Sequence, residues 1–139
     1  MEERSCLIPT RSRHSRVVNA LDRRILVVES EQDLLDAIAF TFRADGYEVV
    51  SVLDGESALA LARTEDFAIV ILAGQLPELP ALEISRRLRA QTDLPIVIHA
   101  VDDAPTRFQY LEAGASEYLV RPALSQLVRQ VRAILDPVV

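Results

Sequence analysis

The sequence has no lysine, no tryptophan and a single cysteine, Cys6. One cysteine excludes a disulfide within the chain, and a reducing compartment, the cytoplasm, is the natural expectation. The longest apolar run, residues 67–74, is far shorter than the roughly 20 residues that a membrane-spanning helix needs. No charged start followed by a long apolar core is present, so we expect neither a secretory signal nor a membrane partner.

Charge is distributed unevenly along the 139 residues, which carry a formal net charge of −6. All fifteen basic residues are arginine, with six arginines and three acids in residues 1–24, and nine arginines and eighteen acids in residues 25–139. The acidic body argues against nucleic-acid binding by residues 25–139. We expect residues 1–23 to be a flexible basic extension. It is either a solvated arm, a contact for an acidic partner or an over-extended start of the coding region.

Strand-like and helix-like segments alternate along residues 24–139, which we expect to form one domain. Between the strands, apolar residues recur at helical spacing and predict helices, and Gly46 and Gly114 mark helix ends. Ser30 is expected to cap the first helix, and Ser85 to lie on a more polar face of the third. Five runs of apolar residues predict strands: residues 25–28, 47–52, 68–72, 95–98 and 117–120.

Five β–α units without a hairpin signal predict an α/β fold with a parallel sheet between two layers of helices. Right-handed crossovers favour a doubly wound, flavodoxin-like sheet with the strand order 2-1-3-4-5. Sites in such sheets lie beyond the carboxyl ends of the strands, at the switch point between strands 1 and 3. The residues at these ends are Glu29, Ser30, Ala73, His99, Ala100 and Arg121.

The body resembles the receiver domain of two-component response regulators over residues 24–136. The resemblance rests on ILVVESEQDLL, GYEVVSVLDGESALALA, LEAGASEYLVRPA and LVRQVRAIL, which occur in the family's order. Receivers accept a phosphoryl group on an aspartate at the end of the third strand. That aspartate and an acidic pair after the first strand hold a divalent ion.

The positions that carry this chemistry in receivers differ in the present sequence. The resemblance places the phospho-acceptor on Ala73, whose methyl group cannot act as a nucleophile. It places the acidic pair on Glu29 and Ser30, so one of three carboxylates remains for magnesium. We therefore expect no catalytic residue, no cofactor and weak or absent magnesium binding.

Three more positions of the family pattern fall on His99, Arg121 and Tyr118. Arg121 replaces a lysine, and we expect it to form a bidentate ion pair with Glu29. His99 replaces a hydroxyl residue and is either a packing residue or part of a pH sensor, with its pKa lowered by Arg121. Tyr118 takes the place of the aromatic that rotates inward on phosphorylation, and is either that switch or an ordinary strand residue. The family's cis peptide bond would fall before Pro122.

The leading interpretation is a degenerate receiver, or pseudo-receiver, that is not phosphorylated and acts by binding a signalling protein. The helix 4–strand 5–helix 5 face is the candidate surface. Charges that join receiver dimers across this face fall on Gln109, Gln126 and Gln130, which cannot form ion pairs, so that dimer is not expected.

Two alternatives remain open at the level of sequence. A displaced acid, Glu29, Asp33 or Asp102, would accept phosphate, or bind a metal or small anion. In the other alternative, the chain is the N-terminal part of a DNA-binding regulator, with contacts from the arginine-rich extension or from an output domain elsewhere. No output domain is expected after the last helix within this chain.

Overall fold

The computed structural model describes residues 23–101 and 106–136. Predictions about the basic extension before Arg23, including Cys6, and about Asp102 lie outside these residues. Strands and helices alternate along the described chain: β1 (Arg24–Val28), α1 (Gln32–Ala44), β2 (Glu48–Val52), α2 (Gly55–Thr64), β3 (Ile69–Ala73), α3 (Ala81–Gln91), β4 (Ile96–Ala100), α4 (Thr106–Glu112), β5 (Glu117–Val120) and α5 (Leu124–Leu135).

The strands form one parallel sheet in the order β2-β1-β3-β4-β5, as predicted. The central strand β3 is buried at all five positions because helices cover both faces of the sheet. Helices α2, α3 and α4 pack on one face, where Leu26, Val70 and Ile96 form the core. Helices α1 and α5 pack on the other face, against Ile25 and Ile71. The doubly wound arrangement is therefore confirmed.

Local signals fixed most helix ends correctly. Gly46 and Gly114 follow α1 and α4 with φ values of 94° and 109°, which glycine adopts without strain. Asp54 caps α2, because its carboxylate accepts the Ser57 amide hydrogen at 2.7 Å. Among the described residues the longest helix, α1, has 13 residues, and none could cross a membrane.

Two of the predictions about serine are wrong. Ser30 does not cap α1, which begins at Gln32 after Glu31 and has no side-chain cap. Ser85 is fully buried in α3, because the core against which α3 packs is wider than the Ile84–Leu88 spacing suggested.

Candidate functional site

The carboxyl ends of β1, β3, β4 and β5 surround a cavity of about 410 Å³. Parallel strands bring these ends to one edge of the sheet, and the switch point between β1 and β3 leaves room between the loops. The predicted site residues are brought together here, apart from Tyr118: the cavity is lined by Glu29, Ser30, Ala73, His99 and Arg121, with apolar side chains such as Leu34 and Leu124.

Ala73 is the last residue of β3 and forms part of the cavity wall. Its side chain is buried, and its Cα is paired with that of His99 in the sheet. The next residue, Gly74, donates its amide hydrogen to the carbonyl oxygen of His99 at 2.8 Å. The position after the central strand is thus tightly held by the backbone and presents a methyl group.

Glu29 is the only buried carboxylate among the described residues. Its Oε2 accepts the amide hydrogen of Glu31 at 2.8 Å, so the carboxylate stabilises the turn that leads into α1. Burial raises the pKa of Glu29, although backbone hydrogen bonds oppose this shift. Sequence reasoning gave the capping role to Ser30, which is exposed.

His99 lies beside Glu29 without a hydrogen bond to it. Its Nε2 is 3.5 Å from Oε1 of Glu29, and this nitrogen is buried with no hydrogen-bond partner among the described residues. Burial lowers the pKa of His99 to about 4, although the nearby carboxylate would favour the protonated ring. The predicted direction is correct, but the cause is burial and not Arg121.

Arg121 is exposed and turns away from Glu29. Its Nε donates to the carbonyl oxygen of Val101 at 3.1 Å, and no ion pair joins Arg121 to Glu29, both of which are described. The expected bidentate pair is therefore wrong. Arg121 has a left-handed backbone with φ of 45° and bonds to Val101, just past the end of β4, while the Glu29 carboxylate accepts the amide hydrogen of Glu31. The bond before Pro122 is trans, so the expected cis bond is also wrong.

The remaining acids do not complete a metal site. Asp33 is exposed in the first turn of α1, and no group of three potential metal ligands occurs among the described residues. Magnesium prefers several oxygen ligands in octahedral geometry. Two carboxylates, Glu29 and Glu31, line the cavity, and Glu29 already accepts the amide hydrogen of Glu31. The described residues therefore do not supply that set of ligands.

Tyr118 lies outside the cavity and is buried under α4. Its side chain is 2% exposed, its ring centroid is 5.4 Å from that of Tyr110, and the Arg107 guanidinium lies 5.3 Å from its ring. The Tyr110 hydroxyl donates to the carbonyl oxygen of Gly74 at 3.3 Å. Sequence reasoning missed Tyr110, because a tyrosine in a short helix gives no signal of what its hydroxyl reaches.

The outer surface of α4 exposes two large apolar side chains. Phe108 is 66% exposed and Leu111 is 41% exposed. Gln109 is exposed beside them, whereas Gln126 and Gln130 are half-buried on α5. These side chains belong to the predicted helix 4–strand 5–helix 5 face.

Residues 25–132 match the sequence model of the response regulator receiver domain. The chain belongs to this receiver family. The receiver is 34% identical over 113 residues to the sensory transduction protein RegX3 of Mycolicibacterium smegmatis, covering 80% of this chain and 50% of the relative. It is 33% identical over 118 residues to the alkaline phosphatase synthesis transcriptional regulatory protein PhoP of Bacillus subtilis, covering 83% and 49%. The chain spans about half the length of these relatives.

Solved receivers share the fold. A CheY-like receiver domain protein of Methanospirillum hungatei superposes with a TM-score of 0.78 at 22% identity, covering 82% of this chain and 94% of that chain. The receiver domain of a Pseudomonas aeruginosa sensor histidine kinase superposes with a TM-score of 0.75 at 27% identity, covering 81% and 97%, and holds a magnesium ion in its active-site cleft. The resemblance to the receiver family is thereby confirmed.

Proposed function

We propose that this receiver is a pseudo-receiver, which works in two-component-type signalling by binding a protein and without being phosphorylated. The observation that carries the proposal is the buried methyl group of Ala73 at the end of β3. In the family this position supplies the aspartate nucleophile, and an alanine side chain has no atom that can attack a phosphodonor.

The contacts of the remaining site residues support this proposal. Glu29 is bonded to the Glu31 amide, and Arg121 is bonded to the Val101 carbonyl. Neither group is placed to organise a phosphoryl group and an ion together, which phosphoryl transfer requires. Magnesium binding at this site is accordingly expected to be weak or absent.

The position of Tyr118 gives independent support. In the family the corresponding aromatic reports phosphorylation by rotating inward, whereas Tyr118 is already buried beside Tyr110. The buried position of Tyr118 is reached without phosphate. This is consistent with a module whose binding surface is set by its sequence and not by phosphorylation. The α4–β5–α5 face, with exposed Phe108 and Leu111, is the proposed surface for a signalling protein.

Intact-protein mass after incubation with a small phosphodonor and magnesium tests the proposal. We expect no phosphoryl adduct on the natural protein. The matched variants are Ala73→Asp, and Ala73→Asp combined with Ser30→Asp and Arg121→Lys, which returns the family's residue types to three positions. A receiver that keeps its acceptor aspartate shows that the donor is active.

A stable adduct on the natural protein would overturn the proposal. Peptide mapping would then decide among the displaced acids Glu29, Asp33 and Asp102, which is the phosphorylated alternative. Metal binding at one of these acids would appear as a magnesium-dependent rise in thermal stability, and Glu29→Gln would abolish this rise if Glu29 is the ligand.

A second candidate, the receiver part of a DNA-binding regulator, is favoured by the relatives. One is named a transcriptional regulatory protein, and this chain covers 49% of it. DNA retention by the chain and by residues 24–139 alone, measured at rising salt, tests for contacts from the arginine-rich extension. We expect residues 24–139 to retain none, and any binding by the extension to fall steeply with salt.

A further inference from the structure

One side chain of α4 reaches the residue beside the vacant acceptor position. Tyr110 is 4% exposed, and its hydroxyl donates to the carbonyl oxygen of Gly74 at 3.3 Å. Gly74 directly follows Ala73. The contact therefore joins the helix that carries Phe108 and Leu111 to the end of β3, across the carboxyl edge of the sheet.

The Gly74 end of this contact is fixed in place. Its amide hydrogen is bonded to the His99 carbonyl at 2.8 Å, which ties the loop to β4. A Cβ atom at Gly74 would lie 2.9 Å from the Cβ of Ala100, closer than carbon atoms pack. Gly74 is thus held close against β4, and the Tyr110 hydroxyl donates to the carbonyl oxygen of this tethered residue.

The other side of Tyr110 contacts β5. Its ring packs against Tyr118 with centroids 5.4 Å apart, and Arg107 of α4 donates to the Tyr118 carbonyl oxygen at 3.0 Å. The Arg107 guanidinium also lies over the Tyr118 ring. Two α4 residues, Arg107 and Tyr110, therefore connect this helix both to β5 and to the loop after β3.

We propose that Tyr110 is a positioning residue that locks α4 and the buried Tyr118 into a single arrangement. The lock presents Phe108 and Leu111 in one orientation, whatever the state of the cavity. Its use in binding a partner rests on the proposed function, but the lock itself is a property of the fold. Its hydroxyl bond is longer than the usual 2.7–2.8 Å for two oxygens, so most of the hold comes from the ring.

Amide hydrogen exchange of the full chain tests the lock. Tyr110→Phe removes the hydroxyl and keeps the ring, and we expect roughly threefold faster exchange in α4 with β1 and β3 unchanged. Tyr110→Leu also removes the ring contact, and we expect at least tenfold faster exchange in α4 and the last part of β5. In that variant the Tyr118 ring resonances should shift toward solvent-exposed values.

Tyr47→Phe is the matched control, because Tyr47 is buried on the opposite face of the sheet, against Phe42. It should leave exchange in α4 unchanged. Unaltered α4 exchange in both Tyr110 variants would overturn the proposal, as would equal acceleration in every strand, which would indicate general destabilisation. The phosphodonor experiment can fail while this pattern holds, so failures of the two proposals are distinguishable.

Discussion

Charged side chains form many mutual contacts at the amino end of the sheet and few at the carboxyl end. At the amino end, Arg24 contacts Glu48 at 3.1 Å and Glu65 at 2.7 Å, and it donates to the Asp66 carbonyl at 3.0 Å. Its guanidinium also lies 4.7 Å from the Phe67 ring centroid. At the carboxyl end, an acid, a histidine and an arginine line one cavity, yet no hydrogen bond joins them.

The difference lies in hydration and pairing. Arg24 and its partners stay partly exposed. Their charges therefore remain hydrated and also form ion pairs with one another. Glu29 is buried, His99 is mostly buried, and no hydrogen bond joins them. Burial shifts the pKa of each in the direction that favours its uncharged form. Charged side chains that have partners stabilise a fold. Buried polar side chains with few partners are destabilising and are typical of functional sites. Three predictions test this contrast.

The largest expected effect is an acid-dependent loss of stability through His99. The pKa of His99 falls from 6.5 to about 4 on folding, so the unfolded chain binds more protons between these values. Stability therefore rises with pH across that window and is lost as pH falls, by about 3 kcal/mol for complete protonation. Urea unfolding at pH 7, 5.5 and 4 should show this loss in the natural protein relative to His99→Gln.

The same experiment can break the contrast between the two ends. If His99 and Glu29 were a working ion pair, the histidine would have a raised pKa and acid would not cost the natural protein more than the variant. Identical pH slopes for both proteins would show that folding leaves the His99 pKa unshifted, and a larger acid loss in the variant would place the carboxyl end among the paired ends.

The next effect in size concerns the two arginines. Arg24→Met removes two ion pairs, a bond to a carbonyl and a cation–π contact, and we expect a loss of about 2 kcal/mol in the free energy of unfolding. Arg121→Met, the matched control, removes one exposed bond to Val101 and should lose less than about 0.5 kcal/mol. If denaturant melts gave equal losses of unfolding free energy for the two variants, the contacts of Arg24 at the amino end would be no more stabilising than those of Arg121 at the carboxyl end.

The smallest effect concerns Glu29. Because its pKa is raised on folding, the folded state favours the neutral acid, and stability falls as pH rises above the unfolded value of 4.5. Glu29→Gln keeps an oxygen for the Glu31 amide and removes the charge. We expect it to be more stable than the natural protein at pH 7, by on the order of 1 kcal/mol or less.

That gain should vanish near pH 4 in thermal melts. A variant that is less stable at pH 7 would mean that the carboxylate has a stabilising charged partner in solution.

The fold could be predicted because its signals are local and repeated. Apolar runs such as residues 68–72 mark strands buried on both faces. Glycine marks helix ends because it adopts positive φ without strain, as Gly46 and Gly114 do. The predicted strands stopped early at the site, since β3 extends to Ala73 and β4 to Ala100. Small residues at these ends have weak strand propensity, and neighbouring strands impose the pairing.

The site was only partly predictable. Its residues lie at the expected positions, but they form contacts other than the expected ones. Alignment with a family places a Cα atom, whereas the Arg121 side chain follows a left-handed backbone angle that no pattern in the sequence reports. The Ser30 cap failed because α1 begins at Gln32 without a side-chain cap, and the turn before it is held by the Glu29 carboxylate on the Glu31 amide. Tyr110 was missed because its partner lies 36 residues away.

The strand order also determines which part of the chain completes the sheet. β1 pairs with both β2 and β3, so the first half of the chain supplies three adjacent strands of the sheet. β4 then adds to the β3 edge and β5 to the β4 edge. Because a chain emerges from the ribosome amino end first, the strand bearing Tyr118 joins last. The face proposed to meet a partner therefore depends on the part of the chain that is made last, so a chain truncated before β5 would lack it.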